Sequence, residues 1–122
     1  MNKILVIEDN VDFGLTLCAV LNDSGYDTTH ALNGFVGLSK FKDNSYDLVI
    51  VDIFMPEKDG LETIQELRAN FPGTKIIAIS GGGKYGNFDY LICSVEFGAD
   101  LSIEKPFDNE VILKAVKDLL NR

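Results

Sequence analysis

Leu48-Val49-Ile50-Val51-Asp52 decides the fold. Four consecutive apolar residues, three of them β-branched, read as a strand buried on both faces, as in the middle of a parallel sheet. A carboxylate at the C-terminal tip of such a strand has no packing role. In open α/β sheets that edge is where ligands bind. Asp52 is therefore the first candidate for a chemical group.

Outward from this strand, apolar runs and helical patterns alternate through the chain. Ile4 to Ile7 is a short apolar run. Residues 12 to 23 follow with Gly14, Leu17, Cys18 and Leu21 on one helical face, ended by Asp23-Ser24-Gly25. Tyr26 to Ala31 reads as a second strand, and Asn33-Gly34 leads into a helix reaching about Lys42. Asp47 to Val51 is the third strand. A helix over Lys58 to Asn70 stops at Pro72-Gly73. Lys75 to Ile79 is the fourth strand, followed by Gly81-Gly82-Gly83 and a helix over about Asn87 to Phe97, stopped by Gly98. Ala99 to Ile103 alternates apolar and polar residues, as an edge strand with unlike faces does. Asp108 is placed to cap a last helix ending near Leu120. Five strands and five helices in alternation predict an α/β, doubly wound parallel sheet with right-handed crossovers.

The 122 residues suit one domain, and 46% hydrophobic content suits a globular one. Nineteen acidic against eleven basic residues leave a net charge of −8, which argues against binding to nucleic acid or an anionic membrane. Cys18, Cys93 and the lone His30 have no metal-ligand spacing, and both thiols are expected to be reduced. No stretch has the length of a membrane span, and the start lacks the apolar length of a signal peptide, so a cytoplasmic protein is expected.

Glu8-Asp9 follows strand one, Asp52 ends strand three, Ser80 follows strand four and Lys105 follows strand five. Taken singly, each has an ordinary reading as a cap, a turn residue or a surface lysine. All fall at one edge of the predicted sheet. Two carboxylates about 4 Å apart repel by about 4 kcal/mol at an effective dielectric near 20. An oxygen-preferring divalent ion relieves this, and Mg²⁺ suits a site with few protein ligands. With Lys105 added, the site has room for an anion, and Ser80 can donate to one of its oxygens. Such a cradle fits a phosphoryl group, with Asp52 as the nucleophile that accepts it.

Ile4-Leu5-Val6-Ile7-Glu8-Asp9, Asp47 through Asp52 with Ile53-Phe54-Met55-Pro56, Asp59-Gly60, Gly98-Ala99-Asp100 and Lys105-Pro106-Phe107, in this order, resemble a response-regulator receiver domain (CheY-like) of two-component signalling. The resemblance covers the full length. It implies the flavodoxin-like strand order 2-1-3-4-5, of which CheY is itself a standard example. It implies that Asp52 takes a phosphoryl group from a sensor histidine kinase or a histidine phosphotransfer protein. It also implies Mg²⁺ held by Asp9, Asp52 and the Phe54 carbonyl with Glu8 acting through water, Ser80 and Lys105 on the phosphoryl oxygens, and a cis Lys105-Pro106 bond. Residues 1–122 would then be a single receiver domain with no output domain. Such a protein is not an enzyme with a separate turnover substrate. It assists its own phosphorylation and dephosphorylation, then signals by protein binding or phosphorelay. The alternative is a pseudo-receiver, an interaction module independent of phosphate.

Receivers usually carry Tyr or Phe where this chain has Ser102, three positions before Lys105. Two outcomes stand open: another surface carries the signal, or switching is weak and runs through loop order alone. Gly81, Gly82 and Gly83 add backbone freedom, so residues 81 to 86 are expected to order upon phosphorylation. Phe54 either packs on the rim or screens the acyl phosphate from water. Phe13, with Asn10, Asp12 and Thr16, would face outward as a docking site for the phosphodonor, unless its ring folds onto a neighbour. Tyr85, Phe88, Tyr90, Leu91, Ile92, Val95 and Phe97 are too many for one helix face to bury. Some must therefore be exposed, as a partner surface or a homodimer face formed by the fourth helix, the last strand and the last helix.

Overall fold

The computed structural model describes residues 2–54, 60–81, 84–85 and 88–122; for 84–85 and 88–91 only the backbone is described. Its elements are β1 (Lys3–Ile7), α1 (Val11–Asp23), β2 (Asp27–Ala31), α2 (Gly34–Asp43), β3 (Leu48–Asp52), α3 (Gly60–Asn70), β4 (Lys75–Ser80), β5 (Lys84–Tyr85), β6 (Phe88–Asp89), α4 (Tyr90–Phe97), β7 (Leu101–Glu104) and α5 (Asn109–Leu120). Five strands form one parallel sheet in the order β2-β1-β3-β4-β7. Counting sheet strands alone, this is the expected 2-1-3-4-5, with β3 central and all five of its residues buried.

The strand pleat sorts the core into two layers. Ile4, Val6, Leu48, Ile50, Ile77 and Ile79 pack against Leu17, Cys18 and Leu21 of α1 and Ile112, Val116 and Leu119 of α5. Leu5, Ile7, Val49, Val51, Ile76 and Ala78 pack against Phe41 of α2 and Leu61, Ile64 and Leu67 of α3. Each fully buried Ile or Leu contributes roughly 1.5–3 kcal/mol. The inward stripe of α1 is the one its spacing predicts: Gly14, Leu17, Cys18 and Leu21.

Helix ends follow local chemistry. Asn10 caps α1 by accepting from the Phe13 N–H at 3.0 Å, and Asn33 caps α2 by accepting from Val36 at 2.9 Å. α1 closes with the Tyr26 N–H on the Leu21 carbonyl and Gly25 on Asn22, Gly25 taking φ +96°. That paired arrangement needs a left-handed residue, which glycine adopts without steric penalty. The expected Asp108 cap is met in position only. Its side chain makes no capping hydrogen bond, and its carbonyl accepts from Val111 and Ile112 instead.

A correction falls between β4 and α4. The helix expected from Asn87 begins at Tyr90, and an antiparallel pair of β5 and β6 precedes it, with Lys84 opposite Asp89 and Tyr85 opposite Phe88. Gly86-Asn87 between two aromatic-bearing dipeptides is a hairpin signal that the helical pattern overrode. Gly82 and Gly83, and with them most of the loop expected to order, lie outside the described residues. So do Met55, Pro56 and Asp59, and the side chains of Tyr85, Phe88, Tyr90 and Leu91.

Candidate phosphoryl-acceptor site

Parallel strands end at one edge, so consecutive elements deliver their next residue to the same place. Ile7 pairs with Val51, Asp52 with Ile79 and Ser80 with Glu104. Glu8, Asp52, Ser80 and Lys105 are thereby brought to one rim. The ladder continues past the strands. The Glu8 N–H donates to the Ala31 carbonyl, Ile53 to Ile79, and Lys105 to Ser80 at 2.7 Å. Glu8 and Ser80 are fully buried, Asp52 nearly so, and Asp9 is exposed.

Carboxylate oxygens of Glu8, Asp9 and Asp52 lie within 4.8 Å of one another. Lys105 Nζ reaches Glu8 Oε1 at 2.6 Å and Asp52 Oδ2 at 3.5 Å. The Asn10 N–H donates to Glu8 Oε2 at 3.1 Å, and the Phe54 N–H to Asp52 Oδ1 at 3.1 Å. One ammonium thus bridges two of the three clustered carboxylates, Glu8 and Asp52.

Burial, reinforced by the hydrogen bond and charge of Glu8, pushes the Asp52 carboxyl up to about 7 against the pull of Lys105. Burial alone would raise Glu8, but hydrogen bonds from Asp52, Lys105 and the Asn10 N–H outweigh it and hold Glu8 below its ordinary value. Burial and the adjacent Glu8 raise Asp9. Of the two carboxyls that Lys105 reaches, Glu8 is therefore favoured in its ionised form, and Asp52 is the one that takes up a proton more readily. A set of hard oxygen donors kept apart from full ionisation by its own repulsion fits a small divalent cation.

The remaining predicted residues are distributed as follows. Lys105-Pro106 is cis. Gly81 is exposed beside the Lys105 stem, a Cβ there coming 3.9 Å from Lys105 Cδ. Ser102 is half-buried on β7 opposite Ala78. Phe54 is half-buried, intermediate between rim packing and full exposure. Asn10, Asp12 and Thr16 are exposed as expected. Phe13 departs from the outward reading. It is half-buried, edge-on to Phe107 at 5.9 Å, with Lys105 Nζ 4.2 Å from its ring centre. Val11 and Leu15 supply the apolar outward face of α1 instead, Leu15 being 55% exposed. Their spacing of four was visible in the sequence. On α4, Ile92, Val95 and Phe97 are exposed while Ser94 points inward.

Three contacts had no sequence signal. His30 Nε2 lies 2.8 Å from the Glu8 carbonyl, and its ring occupies the space a Cβ at Gly14 would take. Gly60 packs on the back of the site, a Cβ there coming 2.3 Å from the Asp52 carbonyl oxygen. Arg68 donates to the carbonyls of Pro72, Thr74 and Gly98 and to Asp100, which also accepts from the Ile76 N–H.

The family model for the response regulator receiver domain matches residues 4–117. The chain is 34% identical over 122 residues to the response regulator ArlR of Staphylococcus saprophyticus, covering all of this chain and 54% of that protein. It is 33% identical over 118 residues to sporulation initiation phosphotransferase F of Bacillus subtilis, covering 97% of this chain and 93% of that one. It thus spans about half of ArlR and nearly all of the phosphotransferase. Among solved structures, a CheY-like receiver domain protein from Methanospirillum hungatei superposes with a TM-score of 0.91 at 26% identity, covering 99% of this chain and 94% of that one. With the acidic rim, the strand order and these matches in agreement, the chain belongs to the family of response regulator receiver domains of two-component systems.

Proposed function

We propose that this receiver accepts a phosphoryl group on Asp52 from a phosphohistidine donor, in a Mg²⁺-dependent reaction, and passes the signal on by phosphorylation-dependent protein binding or phosphorelay. The observation that carries it is the convergence of Glu8, Asp9 and Asp52 within 4.8 Å, with Lys105 over them. In the transfer, an Asp52 carboxylate oxygen attacks phosphorus. The phosphorus–nitrogen bond breaks, and its electron pair stays on the donor imidazole. Asp9, Asp52 and the Phe54 carbonyl would hold the ion, with Glu8 beyond them. When bound, Mg²⁺ neutralises charge on the transferring oxygens.

The chain's own residues do the rest. Lys105 exchanges its bond to Glu8 for one to the phosphoryl group, a stronger anion. Ser80, at the end of the neighbouring strand, is the hydroxyl placed to donate to another oxygen. Phe54, next to the acceptor, limits water. No separate turnover substrate is needed, and a cytoplasmic site of action suits a kinase-fed receiver.

Receiver domains meet histidine kinases or phosphotransfer proteins, and the α1 face of Asn10, Val11, Asp12, Leu15 and Thr16 is where such a donor would dock. Self-association would use Ile92, Val95 and Phe97 of α4 with β7 and Val111 of α5, all four apolar side chains being exposed. Incubation with acetyl phosphate with and without Mg²⁺, followed by intact mass, tests the reading. One phosphoryl group should add only with Mg²⁺ and not to Asp52→Asn. An unmodified wild type would instead favour an interaction module that works without phosphate.

A further inference from the structure

We propose that Phe13 is a positioning residue for phosphoryl transfer, its ring face holding the Lys105 ammonium over the acidic site. Lys105 Nζ sits 4.2 Å from the ring centre, within cation–π range. The ring is itself held edge-to-face by Phe107 at 5.9 Å and 87°, against the α1–α5 side of the core.

The contacts close a circuit. Lys105 donates to Glu8 Oε1, and the Asn10 N–H to Glu8 Oε2. Asn10 Oδ1 accepts from the Phe13 N–H, and the Phe13 ring returns to Lys105. The α1 cap therefore fixes both the carboxylate and the ring that flank the ammonium.

A lysine needs such a hold because its long stem and strongly hydrated head favour swinging into water. Here the side chain is only 18% exposed. A carboxylate in place of the ring would also hold the ammonium, but it would add a fourth negative charge to a site already crowded by three. The quadrupole of the ring attracts the cation with no net charge and no fixed hydrogen-bond direction. The ammonium stays free to turn its protons from Glu8 to an arriving phosphoryl oxygen.

This inference rests on Asp52 being the acceptor, and the test separates the two. Phe13 is replaced, by nonsense suppression, with mono-, di- and pentafluorinated phenylalanine, which keep shape while draining the ring face of electron density. Phe13→Trp and Phe13→Leu complete the series. Phosphorylation by acetyl phosphate at saturating Mg²⁺ should slow stepwise with fluorination, by about tenfold in all. It should stay near wild type in Phe13→Trp and fall in Phe13→Leu as far as in the pentafluoro protein. Thermal midpoints of the fluorinated proteins should match wild type. In the unphosphorylated protein, the ring current of Phe13 should move the Lys105 ε-methylene resonances upfield, and Phe13→Leu should abolish that shift. A wild type that is phosphorylated at a rate indifferent to fluorination, or that lacks the upfield shift, overturns the role of Phe13 alone. A wild type that is not phosphorylated, yet shows the shift, overturns the acceptor reading and with it the use to which the contact is put.

Discussion

Below about pH 7 the Asp52 carboxyl keeps a proton that an exposed aspartate would have lost, because burial and the Glu8 carboxylate both penalise its charge. A carboxyl raised in the fold favours folding fully below its unfolded value near 3.8, and loses that contribution as pH climbs through about 7. Glu8, held low, works in the opposite sense and loses its contribution on the acid side. In the absence of metal, stability should therefore fall between about pH 4 and 7, and Asp52→Asn should remove most of the slope. At pH 8 that variant should be more stable than wild type by about 1–3 kcal/mol. Urea unfolding across pH in EDTA measures this, and a slope equal in both proteins would refute it.

Lys105 is the counter-case. Lys105→Met leaves the buried Glu8 charge unpaired and should destabilise by about 3 kcal/mol at pH 7. The loss should shrink in Glu8→Gln, as a double-mutant cycle in urea would show. At this scale Asp52 was readable because a charge ended an apolar run. His30 was not. Its partner is a backbone carbonyl 22 residues away, and no sequence pattern marks such a bond. Gly14→Ala, whose Cβ would lie 2.3 Å from His30 Nε2, should cost about 1–3 kcal/mol in the same measurement.

Among the elements, the alternation of strands and helices was plain because buried parallel strands and one-sided helices have different periods. The β5–β6 pair was missed because two-residue strands carry no period at all, and only Gly86-Asn87 signalled it. Asp100 was noted as part of Gly98-Ala99-Asp100, but its bond to Arg68, which ties α3 to the start of β7 and the end of α4, needed three dimensions. Arg68→Lys keeps the charge and loses the planar fork, so about 2–3 kcal/mol of stability should go, read by urea unfolding with the midpoint moving and the slope unchanged. The outward face of α1 was half read. Phe13 drew notice for its size, whereas Val11 and Leu15 are the exposed apolar pair. Leu15→Glu should slow phosphotransfer from a phosphohistidine protein about tenfold or more while leaving the rate from acetyl phosphate unchanged. Equal slowing from both donors would place Leu15 in the fold rather than the interface.

For the whole molecule, parallel strands and the strand order put acid, hydroxyl and ammonium groups at one rim from segments almost a hundred residues apart, Lys105 meeting Glu8 across 97 positions. Composition set limits of its own. A charge of −8 disfavours wholesale electrostatic binding to a polyanion. No helix among the described residues is long and apolar enough to cross a membrane. Where Ser102 stands in place of an aromatic, the sequence posed a question about signal output that the β7 geometry sharpens. Ser102 faces Ala78 on the α4 side, so no ring links the rim to that surface at this position. The most direct measurement locates the phosphoryl group. The protein is exposed to acetyl phosphate and Mg²⁺, reduced with borohydride and digested, and the peptides are sequenced by mass spectrometry. Homoserine at position 52, absent without Mg²⁺, is the predicted result; a fully phosphorylated protein with aspartate intact at 52 and the label elsewhere would contradict it.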